Sequence, residues 1–159
     1  MNPMPAAANS SFVTLRAGGE NFAIEVCFVR EILEYSPITP LPQAPPFLLG
    51  VINVRGCTVP VVDLCIKLGL PTVPVSVDTR ILVLEITVAG RQLVVGLLVD
   101  KVFEVAEFEA GSLEAVPDVG GPWNSEYIRA ISYLGGNFVV IFDMERLFGS
   151  NDAASLQAV

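Results

Sequence analysis

Short segments in which apolar and polar residues alternate run through most of the chain, separated by Gly, Pro and Asn. In one of them, Phe22, Ile24 and Val26 alternate with Ala23 and Glu25, which is the period of two expected of a half-buried strand. Segments rich in Val, Ile and Phe and bounded by turn residues are typical of strands. Ten strands are predicted, at residues 12–17, 21–26, 29–35, 49–54, 57–62, 80–88, 91–98, 101–106, 127–134 and 137–142.

Helical segments are few and short. The stretch "DLCIKLG" (63–69) predicts one to two helical turns, with Asp63 as the N-cap and Gly69 as the residue that ends them. The stretch "DMERLFG" (143–149) has the same plan. Many short strands at close spacing, with so little helix, favour an all-β sandwich or small barrels.

One unit of sequence occurs twice. "GENFAIEV" (19–26) aligns with "GRQLVVGL" (90–97), and "VINVRGCTVPVVDLCIKLG" (51–69) aligns without a gap with "ISYLGGNFVVIFDMERLFG" (131–149). Two copies of a unit this long predict two similar small barrels. Residues shared by both copies are expected to be structural, so a paired-carboxylate active site is not expected from the two shared aspartates. The shared residues are the hairpin glycines Gly56 and Gly136, the capping Asp63 and Asp143, and the helix-ending Gly69 and Gly149.

Residues that occur in only one copy are better candidates for function. Pro60 removes one N–H group from the hydrogen-bond ladder, which predicts a strand at or near the edge of its sheet. Arg55, at the preceding turn, would place a directional charge beside an apolar strand that can dock a partner. The alternative is an exposed cation paired with Glu31 or Glu34. In the alignment, Asn53, Arg55 and Pro60 stand opposite Tyr133, Gly135 and Val140.

The predicted strand around "FVREILEY" (28–35) has no cleanly apolar face. Val29, Glu31, Leu33 and Tyr35 share one face, and Arg30, Ile32 and Glu34 share the other. Such a strand is typically only partly covered, which leaves one side for a neighbour. The alternative is a rim strand whose long side chains reach solvent.

Composition narrows the class of protein. Of the 159 residues, 52% are apolar, which is enough for a sizeable core, but the longest apolar stretches are far shorter than a membrane span. The N-terminal residues have neither the basic nor the apolar region of a secretory signal, so a soluble cytosolic protein is expected. A net charge of −8 disfavours binding to nucleic-acid phosphates and to anionic membranes.

The chain contains no histidine, which removes His-based triads, metal sites and proton shuttles. Catalysis by carboxylates alone remains open, so enzymatic activity is disfavoured rather than excluded. Cys27, Cys57 and Cys65 match no metal or redox spacing, and small hydrophobic side chains in a reducing compartment are favoured over a reactive thiol.

Two loops stand out. "SPITPLPQAPP" (36–46) is rich in proline and is expected to be extended and unable to join a sheet centre. "PDVGGPWNS" (117–125) contains Trp123, which is either a binding anchor or an apolar pin for the loop.

With these motifs in order, the chain resembles the CheW family of bacterial chemosensory coupling proteins. The family signature is Asn-x-Arg-Gly, three variable residues, Pro, two residues and Asp-Leu. In this chain it is formed by Asn53, Arg55, Gly56, Pro60, Asp63 and Leu64. The family's Val-x-Glu-Ile strand is Val29, Glu31 and Ile32, and its Gly-Leu-x-Val-Asp stretch is Gly96, Leu97, Val99 and Asp100.

The resemblance implies an all-β fold of two five-stranded SH3-like β-barrel subdomains packed together, with short helical turns. It also implies a non-enzymatic adaptor without a cofactor. Such adaptors bridge the cytoplasmic helical tip of a chemoreceptor, in the groove between the barrels, and the regulatory domain of a CheA-type histidine kinase. Neither nucleic-acid binding nor membrane insertion is implied, and the location would be the cytoplasm, beside membrane-bound receptor arrays.

Val29, Glu31 and Arg55 match family positions in or near the coupling surfaces. Our own interpretation of the residues adds Ile32, Asn53 and Pro60 to the candidate protein-binding set.

The expected organisation is one CheW-like domain at 12–149, between tails at 1–11 and 150–159. Its barrels are expected at roughly 12–75 and 76–149, with strand exchange between them allowed. The chain shows no receiver or kinase segment, which favours a stand-alone adaptor over a kinase's own CheW-like module. Three rival functions stay open: an adaptor of a pilus or second-messenger system, a small enzyme using Asp, Glu or Cys57, and a nucleic-acid-binding barrel.

Overall fold

The computed structural model describes residues 10–88, 90–108, 127–149, 152, 155 and 156. The strands are β1 (Ser10–Ala17), β2 (Glu20–Glu25), β3 (Val29–Glu34), β4 (Leu48–Val54), β5 (Cys57–Asp63), β6 (Arg80–Val88), β7 (Arg91–Val99), β8 (Lys101–Phe108), β9 (Ile128–Leu134) and β10 (Asn137–Phe142). Two short helices, α1 (Leu64–Leu68) and α2 (Met144–Leu147), follow β5 and β10. All ten predicted strands are present, with ends that differ by no more than two residues.

The strands form two five-stranded sheets. The first sheet has the order β8-β1-β2-β10-β9, and the second has the order β3-β6-β7-β5-β4. Neighbouring strands are antiparallel except for the parallel pairs β2–β10 and β5–β7. The prediction of an all-β fold with two five-stranded units is confirmed, although neither ladder closes into a full barrel within the described residues.

The two halves of the chain exchange strands. After β2, a 3-10 turn at Val26–Phe28 carries the chain from the first sheet into β3 of the second. After β7, the chain passes through Asp100 from the second sheet into β8 of the first. A cut near residue 75 therefore separates the two copies in sequence but does not separate the two sheets.

The main hydrophobic core is shared by both sheets. It combines Leu15 and Phe142 from the first sheet with Val62 and Leu84 from the second. Smaller clusters cover a further face of each sheet, one around Phe12 and Ile141 and the other around Ile52 and Ile81. Because each sheet is buried on two sides, β5 and β10 each contain four consecutive buried residues, which is why their sequences are almost continuously apolar.

The two equivalent hairpins have the same turn geometry. Val54 pairs with Cys57, so Arg55 and Gly56 form a two-residue loop in which φ is +51° and +86°. Gly135 and Gly136 form the matching loop between β9 and β10, with φ of +58° and +86°. Positive φ at both loop residues is the type I′ arrangement, whose twist matches that of the flanking strands.

Helix α1 is capped at both ends by residues of the shared set. The Asp63 carboxylate accepts hydrogen bonds from the N–H groups of Cys65 at 2.9 Å and Ile66 at 3.4 Å. Gly69 ends the helix in the left-handed region, at φ +73°, where a residue without Cβ fits at little cost.

Helix α2 begins in the same way and ends differently. The Asp143 carboxylate accepts a hydrogen bond from the N–H of Glu145, but Phe148, in an extended conformation, ends the helix. The predicted helix-ending role of Gly149 is therefore wrong. Its N–H instead donates to the Asp152 carboxylate at 2.9 Å, which directs the chain away from a left-handed cap.

Ser10 and Ser11, at the inner end of the expected N-terminal tail, belong to β1. Near the other end, Leu156 is buried in the main core. The predicted tail residues 1–9 and the Trp123 loop (117–125) lie outside the described residues.

The proline-rich segment 36–46 forms one backbone bridge to a sheet. Thr39 and Val51 exchange two backbone hydrogen bonds of 2.9 Å, which form an isolated antiparallel bridge on the outer edge of β4. Gly50 makes this approach feasible, since a Cβ at that position would lie 2.0 Å from the Thr39 carbonyl oxygen.

Candidate docking site on the second sheet

An exposed ion pair links two distant parts of the second sheet. Arg55 Nη1 lies 2.5 Å from Glu31 Oε2, and the two side chains are 78% and 21% exposed. Glu31 belongs to β3 and Arg55 follows β4, and these strands are the opposite edges of the ladder. The sheet therefore curls until its edges approach one another, and the pair marks the place where they meet.

Arg55 is held in a strained backbone conformation. A left-handed conformation costs an L-residue about 1–2 kcal/mol, and the second copy avoids this cost by having Gly135 at the matching position. The Asn53 side-chain oxygen supports the turn by accepting a hydrogen bond of 3.0 Å from the Gly56 N–H. An exposed ion pair contributes at most about 1 kcal/mol, so the contact with Glu31 does not clearly offset the strain. A guanidinium kept at this cost and left largely exposed points to a role outside the fold.

Strand β3 presents its side chains as the sequence pattern predicts. Val29, Glu31 and Leu33 are half-buried, while Arg30, Ile32 and Glu34 are exposed. A β-bulge at Arg30 shifts the register against β6, because the paired positions jump from Val29 to Glu31. Ile32 is 42% exposed on an edge strand, so an apolar side chain and unpaired backbone groups are available together.

The structure brings most of the predicted residues together but not Pro60. Val29, Glu31 and Ile32 share β3, Arg55 contacts Glu31, and Asn53 orders the turn beneath Arg55. Pro60 is buried, so its side chain has no surface to offer to a partner in this conformation.

The position of Pro60 explains the proline in the strand. Strand β5 lies one strand in from the edge, between β7 and β4, and its pairing with β7 begins at Val61. The ladder toward β7 therefore does not use an N–H at Pro60, and its role is to fit the fold rather than to form an edge.

One exposed surface was missed by the sequence analysis. On the equivalent hairpin of the first sheet, Tyr133 and Phe138 stand opposite each other, with ring centroids 5.0 Å apart in a T-shaped arrangement. Both rings are exposed, although aromatic rings usually contribute to a core. The available signal was the placement of two aromatic residues on either side of a Gly-Gly turn.

Burial is the main cause of the pKa shifts of Asp63 and Cys65. Burial raises the pKa of Asp63, and the nearby Asp100 adds to this, while its hydrogen bonds from backbone N–H groups act in the opposite direction. Burial, with help from Asp100 and Asp63, raises the pKa of the Cys65 thiol to about 12. Cys65 is buried, whereas Cys27 and Cys57 are exposed, and all three are free thiols.

Neither a metal-binding cluster nor a membrane-spanning helix is found in the described part of the chain. No group of three or more His, Cys, Asp or Glu residues within it is placed to hold a metal ion. None of its helices is long and apolar enough to cross a membrane.

Comparison with known proteins places this architecture in a family. The family model described as "CheW-like domain" matches residues 11–152. The "Chemotaxis protein CheW" of Rhizobium meliloti (strain 1021) is 30% identical over 140 residues, which is 88% of each chain. "Protein PilI" of Pseudomonas aeruginosa is 35% identical over 103 residues, which is 65% of this chain and 56% of that protein.

A solved structure supports the same assignment. The scaffolding protein TtCheW from Thermoanaerobacter tengcongensis superimposes with a TM-score of 0.77 at 28% identity, over 95% of this chain and 92% of that one. The family match spans both copies of the repeat, both sheets and the Glu31–Arg55 pair. The chain therefore belongs to the CheW-like family.

Proposed function

We propose that this chain is a chemosensory adaptor that couples the cytoplasmic helical tips of chemoreceptors to a CheA-type histidine kinase. It would act in the cytoplasm, within receptor arrays, and would contribute binding surfaces rather than a catalytic step. A receptor rearrangement would then change which arrangement of the kinase is favoured, because the adaptor binds the two partners in one geometry.

The observation that carries this proposal is the Glu31–Arg55 pair on the curled second sheet. The pair combines an exposed guanidinium, held in a strained turn, with the exposed Ile32 on an edge strand. A surface with apolar area and a few placed charges suits protein docking, in which charges select the partner and apolar contacts add affinity. Membership of a family that includes proteins named for chemotaxis and for scaffolding supports the same role.

A second candidate function is that of an adaptor in a chemosensory system that does not control flagella. It is favoured by the similarity to PilI, which is higher in identity than that to the Rhizobium meliloti protein but covers less of the chain. The docking chemistry would be the same, and only the cognate receptor and kinase would differ.

The test is reconstitution with a receptor cytoplasmic fragment and a CheA-type kinase from the source organism. The wild-type chain is expected to join both in one complex and to make kinase activity depend on the receptor. Arg55→Glu places two carboxylates together and is expected to weaken binding to at least one partner by about tenfold or more.

Circular dichroism and the thermal midpoint of unfolding show whether the Arg55→Glu chain is folded. Arg146→Glu is the matched control, because it makes the same charge change at an exposed ion pair, with Asp143, that lies outside the second sheet. Equal binding by the wild-type and Arg55→Glu chains would reject this docking site. Failure of the wild-type chain to bind either partner would reject the proposed function.

A further inference from the structure

A nearly buried ion pair joins the C-terminal residues to helix α1. Lys67 Nζ lies 2.5 Å from Asp152 Oδ2, and the two side chains are only 9% and 16% exposed. The same carboxylate oxygen accepts the Gly149 N–H at 2.9 Å. Among the described residues, Asp152 supplies the only carboxylate in ion-pair contact with Lys67. The two charges are therefore satisfied by each other and by the backbone.

The Lys67 ammonium also contacts one aromatic ring from each sheet. It lies 4.6 Å from the ring centroid of Phe47, which precedes β4, and 5.5 Å from that of Tyr127, which precedes β9. Phe47 and Tyr127 occupy equivalent positions of the internal repeat, eighty residues apart, like Asp63 and Asp143. Their carbonyl groups also accept equivalent hydrogen bonds of 2.9 Å, from the N–H groups of Asp63 and Asp143. The ammonium thus lies where the two copies meet.

The repeat shows that this charge is not required by the fold of each copy. The position equivalent to Lys67 is Leu147 in α2, which is fully buried in the main core. Leu156, four residues after Asp152, is buried in the same core. The C-terminal residues therefore complete a junction to which both sheets contribute, and they neutralise a cation that occurs in only one copy.

We propose that Lys67 and Asp152 form a clasp that sets the position of the two sheets relative to each other. Lys67 is a positioning residue: it contacts a ring from each sheet, and Asp152 holds it there. Breaking the pair leaves an uncompensated, nearly buried charge, which favours movement of the junction. The consequence for signalling rests on the proposed function, since an adaptor transmits a receptor shift only if its two halves move together.

The direct test measures the distance between two spin labels, one on each sheet, by pulsed electron–electron double resonance. Cys57 is exposed in the second sheet and Phe138 is exposed in the first, so Phe138→Cys with Cys27→Ser gives one label on each sheet, and Cys65 stays buried. The labelled chain is expected to give one narrow distance. Adding Asp152→Asn is expected to give a second or broader population and to lower the thermal midpoint by about 5 °C or more.

Two further variants separate an effect on the distance between the sheets from an effect on the stability of the chain. Arg146→Gln removes the exposed pair with Asp143 on α2 and is expected to leave the distance unchanged. Lys67→Leu with Asp152→Asn introduces the apolar residue of the second copy, so it is expected to recover the thermal midpoint but not the narrow distance. An unchanged distance distribution in both Asp152 variants would overturn the clasp.

The signalling consequence has its own readout. The Asp152→Asn chain is expected to bind receptor fragment and kinase, each alone, within about twofold of wild type, while receptor control of the kinase falls about fivefold or more. Unchanged control would overturn the signalling role of the clasp. Loss of binding by the wild-type chain would reject the proposed function and leave the distance measurement standing.

Discussion

At the scale of single residues, Arg55 shows how backbone strain can point to a candidate functional position. The turn it occupies needs two residues with positive φ, and the second copy meets this need with two glycines. An arginine in the first of these places gains only an exposed ion pair, which is worth less than the backbone strain. The fold therefore does not account for this arginine, which supports the docking role proposed for it, whereas the turn itself accounts for Asn53.

A prediction at this scale concerns the cap Asp63. Burial raises its pKa above the ordinary value of 3.8, so the folded chain binds this proton more tightly than the unfolded chain. The contribution of Asp63 to the free energy of unfolding is then largest at low pH and declines as pH rises through the raised pKa. Asp63→Asn keeps a capping oxygen and has no proton to lose, so it is expected to lack this decline.

Urea unfolding of both chains, at pH steps from about 3 to 7, measures this effect. Because groups distant from position 63 titrate alike in the two proteins, the difference between their unfolding free energies reports Asp63 together with its coupling to Asp100. The difference is expected to shift in favour of Asp63→Asn as pH rises. A constant difference, or a shift in favour of wild type, would contradict the assigned burial effect.

At the scale of elements, the sequence predicts what depends on near neighbours. Alternation and turn residues located all ten strands, and the repeat identified the caps of α1. The predicted end of α2 was wrong because the Gly149 N–H donates to the carboxylate of Asp152, which lies further along the chain. Pro60 was placed on a surface because a missing N–H suggests an edge, whereas the pairing of β5 with β7 was not visible in the sequence. Pairings between distant strands decide such cases.

A prediction for this scale concerns the contact between the proline-rich segment and β4. Gly50→Ala would place a Cβ 2.0 Å from the Thr39 carbonyl oxygen, within a bridge that involves backbone atoms on both sides. Because neither backbone can yield easily, the segment is expected to leave β4, and the free energy of unfolding to fall by about 2 kcal/mol or more.

Gly19→Ala is the matched control for this change. Gly19 also has a positive φ, but no atom lies within 4 Å of the added Cβ, so only the backbone cost of about 1–2 kcal/mol is expected. Urea unfolding measures both variants. A loss for Gly50→Ala no greater than that for Gly19→Ala would show that the contact with Thr39 does not constrain the sheet edge.

At the scale of the whole molecule, strand exchange and a shared core make two similar sheets into one body. The cores of the two copies are not separate, since the main cluster draws on both sheets, both helices and Leu156. A force applied at the edge of one sheet can therefore reach the other through packed side chains, which suits an adaptor with partners on more than one surface. The exposed Tyr133–Phe138 pair adds an apolar surface on the first sheet.

The most direct measurement is the affinity of the charge-swapped chain, Glu31→Arg with Arg55→Glu, for the receptor fragment and the kinase regulatory domain. The swap keeps net charge and an ion pair at the same place, so the thermal midpoint is expected to stay close to wild type. The positive and the negative charge that face a partner exchange places. Isothermal titration calorimetry is therefore expected to show that binding to at least one partner is weakened about tenfold or more. Wild-type affinity for both partners in a folded swapped chain would show that the pair serves the sheet alone, and would contradict the docking role assigned to it.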